Sequence, residues 1–252
     1  FFLQMSLQNA FLGSLVADAV SMPVHWYYNR GSLDQDYGDF ATYCRPKNPH
    51  PDSILWRSEF KPRNSKADIL RNQLKFWGRR GIHYHQFLEA GDNTLNLQLA
   101  AELYRNCILH GGFEPETWLK RYAEVMLTPG WHQDTYAEEY HRAFFDNYSN
   151  GKSLLLCGIS DYHIGGLSLI PALLASMEAL DLNDYSDQLE KVLNLVRLTH
   201  DHEYTLRAAT DLTRIFHRIA QGESIRHTLK TLPIPGVSVR LLEKWENMDD
   251  RI

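Results

Sequence analysis

Gly91-Asp92-Asn93-Thr94 stands directly before Leu95-Asn96-Leu97-Gln98-Leu99-Ala100-Ala101-Glu102-Leu103, and this stretch decides the fold. Leucines recur every four residues in its second part, which is the spacing of one face of an α-helix. The first part carries short oxygen-bearing side chains at the helix N-terminus, where free N–H groups and partial positive charge collect. Two interpretations are open. Asn93 or Thr94 caps the helix, or Asp92, Asn93 and Thr94 offer oxygen ligands to a hard cation.

The composition indicates a globular chain with ample material for a core. Its 252 residues are 44% hydrophobic and 23% charged, and they fit one large domain or two small ones. The net charge of -5 gives no general attraction to nucleic acid or anionic membranes. No run approaches the roughly 18 apolar residues of a membrane-spanning helix. We therefore expect neither nucleic acid nor a membrane as a partner.

The cysteines and histidines limit which cellular compartment and which metal chemistry can be expected. The three cysteines, Cys44, Cys107 and Cys157, are far apart and form no Cys-x-x-Cys pair, so neither a zinc site nor a disulfide framework is expected. The first five residues lack the basic region of a signal peptide, and we expect a cytoplasmic or nuclear protein. The close histidine pairs, 83/85 and 200/202, are spaced poorly for one helix face, which disfavours a transition-metal site.

Apolar residues at helical spacing continue along the chain and predict an all-α protein. Leu7, Phe11 and Leu15 form the first stripe, and Asp18 falls on the same stripe. A carboxylate buried there costs several kcal/mol unless it is paired or bound to a cation, so Asp18 either leans into solvent or has a partner. Because no alternating strand pattern and no fixed repeat occur, we predict a bundle of about eight to ten helices.

Three further segments carry predictions. Residues 22–64 are rich in proline and aromatic residues, and we predict a long lid or binding loop there. A helix is predicted over 66–77. Asp134 or Thr135 is placed to cap the helix that follows it. Gly165-Gly166 precedes an apolar helix, where two glycines permit either close approach of a ligand or tight packing.

The motifs also occur in a recognisable order. Gly13-Ser14-Leu15-Val16-Ala17-Asp18-Ala19, Gly91-Asp92-Asn93-Thr94, Gly165-Gly166 and Thr199-His200 follow one another along the chain. The ordered set resembles the ADP-ribosylglycohydrolase family, in which the first is similar to a first-helix motif and the second to a Thr-Asp-Asp-Thr metal motif. Asn93 and Asp134-Thr135-Tyr136 look more like the branch that contains the jellyfish-type lens crystallins.

The resemblance implies a single all-α domain over 1–252, an orthogonal helix bundle with two magnesium ions at the bottom of an ADP-ribose cleft. It implies cleavage of the bond between ribose C1″ and a protein side chain or another leaving group, with the ions polarising ribose hydroxyls or a water. ADP-ribose or an ADP-ribosylated molecule would be the partner. By the same resemblance, the magnesium ligands would be Asp92, Asn93 and Thr94. Asp134 would be the acid that assists the leaving group, and Asp18, Gly165, Gly166 and His200 would bind the substrate.

The chain departs from the family pattern at several positions. Gly91 replaces a threonine and Asn93 an aspartate, while the family's second metal motif near the C-terminus has no counterpart beyond Asp249-Asp250. We therefore expect weak magnesium binding and a bundle that lacks the family's C-terminal helices. Two hypotheses follow: an ADP-ribosyl hydrolase, or a catalytically weak or inactive crystallin-like relative that is structural or binds a nucleotide without cleaving it. An unrelated helical interaction domain is a third alternative.

Overall fold

The computed structural model describes residues 6–39 and 41–232, and this part of the chain forms nine α-helices and no β-strand. The helices are α1 Leu7–Ser21, α2 Arg30–Tyr37, α3 Leu95–His110, α4 Pro115–Leu127, α5 Glu139–Ser149, α6 Ile170–Ala179, α7 Tyr185–Arg197, α8 Glu203–Ala220 and α9 Ile225–Thr231. The all-α prediction is confirmed. None of these helices has the length and apolar character needed to cross a membrane.

Some sequence-based predictions fall elsewhere. The acidic pair Asp249-Asp250 and the predicted last helix from Leu241 lie outside the described residues. The boundaries 1–252 of a single domain stay a prediction.

Helix α6 is the centre of the core, and α1 and α3 both pack against it. Seven of its ten residues are buried, because its sequence is apolar on almost every face. Small residues make the close packing possible: Ala172 and Ala175 of α6 share one cluster with Phe11 of α1 and Ala100 of α3. The three helices therefore hold the N-terminus of α3 at a fixed place beside the C-terminal half of α1.

Helix α3 forms as its leucine spacing predicts. Leu95, Leu99 and Leu103 are 5%, 1% and 0% exposed, so the whole stripe faces the core. Truncation of one such leucine to alanine costs about 2–5 kcal/mol. The helix ends at Gly111, whose φ of 71° is the left-handed conformation that closes many helices.

Two of the predictions for the long loops are wrong. Residues 22–64 are not all loop, because Asn29 caps α2 by accepting a hydrogen bond from the Ser32 N–H at 3.2 Å. Segment 66–77 is not an α-helix, and its only helical part is the short 3₁₀ helix Arg71–Phe76. Arg71 has φ 46°, and one residue in the left-handed region prevents a right-handed helix from running through it.

Three loops converge beside the start of α3. The Thr135 N–H donates to the Tyr84 carbonyl at 2.9 Å, and the Trp77 indole donates to the Thr135 carbonyl at 2.7 Å. His83 Nε2 lies 3.0 Å from the Pro23 carbonyl. These contacts bring chain positions more than a hundred residues apart to one end of the bundle.

Candidate functional site

A pocket of about 300 Å³ opens beside the N-terminus of α3. Its walls come from the three converging loops and from the first turns of α3 and α5, and the lining residues are His25, Trp26, His85, Thr94, Leu95, Asn96, Asp134, Tyr136, Glu138 and His141. A second depression of about 370 Å³ shares three of them, Trp26, Tyr136 and Glu138. The two spaces adjoin at Glu138, and the carboxylates of the first pocket are Asp134 and Glu138.

Asp134 is a completely buried carboxylate with one oxygen left open. Its side chain has 0% exposure, and Oδ1 forms a hydrogen bond with His85 Nδ1. Oδ2 has no hydrogen-bond partner among the residues that the structure describes. Leaving a buried acceptor unpaired costs on the order of 1–3 kcal/mol, more for a charged group. Such an unpaired buried atom needs an explanation, and it belongs to a residue that lines the pocket.

A row of hydrogen bonds leads away from Asp134 toward α1. His85 Nε2 lies 3.0 Å from His25 Nδ1, and His25 Nε2 lies 3.2 Å from Ser21 Oγ. Burial is the main cause that lowers the pKa of His25 to about 4. His25 is therefore neutral near pH 7, with one N–H and one bare ring nitrogen.

Glu138 is held by a second row of polar groups. The Asn96 amide donates to Glu138 Oε2 at 2.8 Å, and Asn96 Oδ1 accepts from the Tyr140 hydroxyl at 2.8 Å. His141 Nε2 lies 3.0 Å from the same oxygen, and Tyr122 lies 2.6 Å from His141 Nδ1. Burial lowers the pKa of His141 well below its usual value, so the neutral ring donates at Nε2 and accepts at Nδ1.

A third carboxylate, Asp18, is fully occupied by the start of α3. The Thr94 N–H and the Asn93 amide donate to Oδ2 at 2.7 and 3.0 Å, and the Thr94 hydroxyl donates to Oδ1 at 2.8 Å. Burial raises the pKa of Asp18, and the hydrogen bonds from Thr94 oppose that shift. Thr94 is the N-cap residue but makes no side-chain cap bond. The predicted cap by Asn93 or Thr94 is therefore wrong, because Asp18 of α1 supplies the acceptor.

The predicted magnesium ligands do not form a metal centre in this arrangement. Asp92 is exposed, its Oδ2 accepts the Glu89 N–H at 2.8 Å, and it borders a different depression from Thr94. Asn93 and Thr94 direct their side-chain donors at Asp18. Over 6–39 and 41–232, no group of three or more histidine, cysteine or acidic side chains could hold a metal ion. These residues do not fit a two-ion magnesium site.

The predicted substrate-binding glycines lie in tightly packed positions. A Cβ at Gly165 would be 3.0 Å from Glu138 Oε2, and a Cβ at Gly166 would be 2.7 Å from the His200 ring. Of the two interpretations of this pair, the structure shows tight packing. His200 itself is completely buried behind Tyr140, with ring centroids 4.3 Å apart, and does not border either pocket. A substrate-binding role for these three residues stays a prediction.

Sequence patterns give no role to several of the pocket residues. His85 belongs only to a histidine pair that is poorly spaced for a metal, and Glu138 belongs to no spacing motif. The prediction that Asp134 or Thr135 caps α5 is wrong, since the helix begins after Glu138. Trp26 gives a signal that only the structure contains: its φ of 68° is rare for a bulky residue, and such strain collects at functional sites.

The fold and the pocket define an all-α protein in which two carboxylates, Asp134 and Glu138, line one pocket. The chain belongs to the ADP-ribosylglycohydrolase family, whose model matches residues 4–250. No curated protein and no solved structure matches the chain. The family assignment made from the ordered motifs is confirmed, while the narrower placement beside the jellyfish-type crystallins stays a prediction.

Proposed function

We propose that the chain hydrolyses an ADP-ribosyl glycosidic bond in the pocket beside α3, with Asp134 as general base and Glu138 as general acid. The observation that carries the proposal is Asp134 Oδ2, a buried carboxylate oxygen without a partner on a pocket wall. A carboxylate fixed through one oxygen and open at the other is suited to accept a proton from water. Membership of the family supplies the class of bond.

The reaction balances with these two groups. Asp134 Oδ2 accepts a proton from water as the water oxygen forms a bond to C1″ of the ribose. The bond from C1″ to the leaving atom breaks, and Glu138 gives its proton to that atom. Glu138 then takes a proton from solvent, and Asp134 releases to solvent the proton that it gained from the water.

The surroundings of the two carboxylates support this division of roles. Asp134 is held through Oδ1 by a hydrogen bond with His85, which fixes the carboxylate in the wall of the pocket. The Glu138 side chain is 19% exposed and borders both spaces, so solvent can replace its proton after each cycle. The sequence-based prediction gave Asp134 the leaving-group role, whereas this geometry favours the base role for it.

Magnesium stays a prediction of family membership, and no step is assigned to it because the side chains at the start of α3 do not fit it. ADP-ribose or an ADP-ribosylated molecule is the proposed partner. Cytoplasmic or nuclear residence is proposed as well, and the free thiols of all three cysteines support it.

A catalytically silent, crystallin-like protein is the second candidate. One specific observation favours it: Asp18, Asn93 and Thr94 are bonded to one another as a structural cap. Under this alternative the fold is retained for its stability, and the open oxygen of Asp134 has no chemical use.

Release of ADP-ribose from a panel of proteins modified on arginine, serine or acidic side chains separates the two candidates. We expect turnover by the wild type and a loss of about 10²- to 10⁴-fold in Asp134→Asn, the usual contribution of a general base. Asp181→Asn is the matched control, because Asp181 is exposed and its φ of 58° suits asparagine. Turnover that is equal in Asp134→Asn and the control would refute the base. No turnover on any linkage would favour the silent protein.

A further inference from the structure

The second depression, of about 370 Å³, combines negative charge with aromatic rings. Its acidic lining residues are Glu138, Glu139 and Asp161, and its Trp and Tyr lining residues are Trp26, Tyr136, Tyr140 and Tyr162. Among the residues that the structure describes, no lysine or arginine lines it. The depression therefore has the chemistry of a receptor for an organic cation, because carboxylates and the faces of aromatic rings both attract positive charge.

The carboxylates of the second depression have no positive partner of their own. Neither Glu139 nor Asp161 forms a salt bridge with any residue of 6–39 or 41–232, and Asp161 Oδ1 accepts only the backbone N–H of His163, at 2.8 Å. His163 Nδ1 lies 3.7 Å from Glu138 Oε1, but it accepts the Gly165 N–H at 3.1 Å and so has no proton to share. The negative charge in the depression is therefore available to a ligand.

The aromatic side of the depression continues over the surface as a row of three rings. Tyr162 is 76% exposed and lies 5.6 Å from the His202 ring, which lies 5.0 Å from the ring of Tyr204. The Thr205 hydroxyl donates to the Asp161 carbonyl at 2.8 Å and joins this loop to the start of α8. Exposed tyrosine rings on a fixed loop, beside carboxylates, suit the side chains of lysine and arginine.

Other occupants fit the second depression less well. The diphosphate of a nucleotide would be repelled by three carboxylates. A purely apolar partner would take the carboxylates out of water without pairing them, which costs free energy. Arg142 lies over the Tyr136 ring at 5.9 Å and over the Trp77 ring at 5.1 Å, and it is not among the lining residues. A cation that belongs to a separate molecule therefore fits best.

We propose that the second depression receives the side chain of a lysine or arginine next to the modified residue, so that the protein acts preferentially on ADP-ribosylated polypeptides with basic flanks. This inference rests on the proposed function, in which Glu138 protonates the leaving atom. The polypeptide that departs must therefore lie against Glu138, and the second depression is the space that adjoins the pocket there. Glu139, Asp161 and Tyr162 bind the flank and take no part in bond making.

Matched peptides test this preference directly. They carry one ADP-ribosyl group, through the linkage that the wild type cleaves, and differ only in flanking residues of lysine, arginine, norleucine or glutamate. We expect kcat/KM to be about tenfold higher with lysine or arginine than with norleucine, and lowest with glutamate. The gain should lie in KM, because the flank binds alike before and during bond breaking. Equal kcat/KM on all flanks would overturn the preference and leave the proposed function intact.

Conservative variants assign the preference to the second depression. Asp161→Asn keeps the acceptor for the His163 N–H and Glu139→Gln keeps the side-chain shape, and each should reduce the lysine-to-norleucine ratio about two- to threefold. Tyr162→Leu should reduce it by a similar factor. Glu116→Gln is the matched control, since Glu116 is an exposed acid in the first turn of α4, as Glu139 is in α5. A ratio that survives in the Asp161→Asn/Glu139→Gln double variant would refute the assignment.

Binding of unmodified peptides gives a readout that does not depend on turnover. The lysine-flanked peptide should shift the indole N–H resonance of Trp26 with a Kd several-fold below that of the norleucine-flanked peptide, and about 1 M salt should abolish the difference by screening. Equal Kd values, or a shift produced by adenosine and not by the lysine-flanked peptide, would overturn the inference. A wild type that cleaves no linkage refutes the proposed function instead, and this titration then decides the second depression.

Discussion

Two buried aspartates lie at the same end of α3, and their surroundings differ in one respect. Asp18 accepts three hydrogen bonds from Asn93 and Thr94, so both of its oxygens are filled. Asp134 forms one hydrogen bond, with His85, and its buried Oδ2 has no partner among the described residues. A buried carboxylate with all acceptors filled fastens one helix to another. A buried carboxylate with an open oxygen leaves a position for a ligand or a water.

The cost of the two arrangements shows which one the fold requires. Burial raises the pKa of Asp18, so its charge is carried at a cost that its three donors largely offset. Asp134 has a single hydrogen-bond partner, His85, which is itself a buried polar group, and the neighbouring His25 is half-buried. Proteins accept such locally unfavourable arrangements mainly at functional sites.

Acidification should produce the largest change in the free energy of unfolding, and it should act through the buried histidines that lie near Asp134. Burial lowers the pKa of His83 to about 3 and of His25 to about 4, against about 6.5 when unfolded. Below pH 6.5 the unfolded chain takes up protons that the folded chain does not, so stability falls with pH until about pH 4. Each histidine contributes up to about 1.4 kcal/mol per pH unit, measurable by denaturant unfolding across that range.

Asp18 works in the opposite direction at acid pH, since its raised pKa lets the folded state take up a proton before the unfolded state does. The fall in the free energy of unfolding between pH 6.5 and 4 should be smaller in His83→Gln, which lacks one buried histidine, and unchanged in His227→Gln. A wild type whose stability stays constant from pH 6.5 to 4 would show that the buried histidines do not carry the effect.

Asp18→Ala should give the next largest effect, a loss of about 2–4 kcal/mol in the free energy of unfolding. The change leaves the donors of Asn93 and Thr94 unpaired and removes the cap of α3. Asp18→Asn keeps an acceptor oxygen at the position of Oδ2 and places an amide that can donate to the Thr94 hydroxyl. The loss in the free energy of unfolding should therefore stay within about 1 kcal/mol. Equal losses in the two variants would contradict the capping role.

Asp134→Asn should change stability less, and in the opposite sense. Removing a buried charge with an open oxygen should raise the free energy of unfolding by about 0.5–2 kcal/mol while turnover is lost, as is common where a site is built at the expense of stability. Thermal melting beside Asp181→Asn measures it. A loss above about 2 kcal/mol would make Asp134 a second structural aspartate and remove the contrast with Asp18.

Magnesium should give the smallest effect. With the oxygens of Asp18 filled and Asp92 in a different depression, we expect millimolar Mg²⁺ to stabilise the protein by less than about 0.4 kcal/mol, the linkage value for a ligand below its Kd. Thermal shift with Mg²⁺, and with Ca²⁺ for comparison, measures this. A larger shift that is specific to Mg²⁺ and absent in Asp92→Asn would support the predicted metal centre of Asp92, Asn93 and Thr94.

The sequence predicts much of the fold and little of the site. Leu95, Leu99 and Leu103 specify α3 because they are spaced four residues apart, about one helical turn, and so lie on one face of the helix. The family follows from the order of short motifs along the chain. The helix over 66–77 fails because nothing in its spacing reveals the left-handed Arg71. Glu138 is not predicted at all, since its role depends on Asn96, which lies 42 residues away.

The sequence by itself determined an all-α chain of this family, since helical periodicity depends only on residues close together in the chain and not on its tertiary path. Only the tertiary structure decided which aspartate is filled and which is open. The bond from Thr94 to Asp18 spans 76 residues and that from His85 to Asp134 spans 49, so each depends on how distant loops meet. Before folding the two carboxylates are chemically alike. What distinguishes them is the number of donors that packing brings within reach of each.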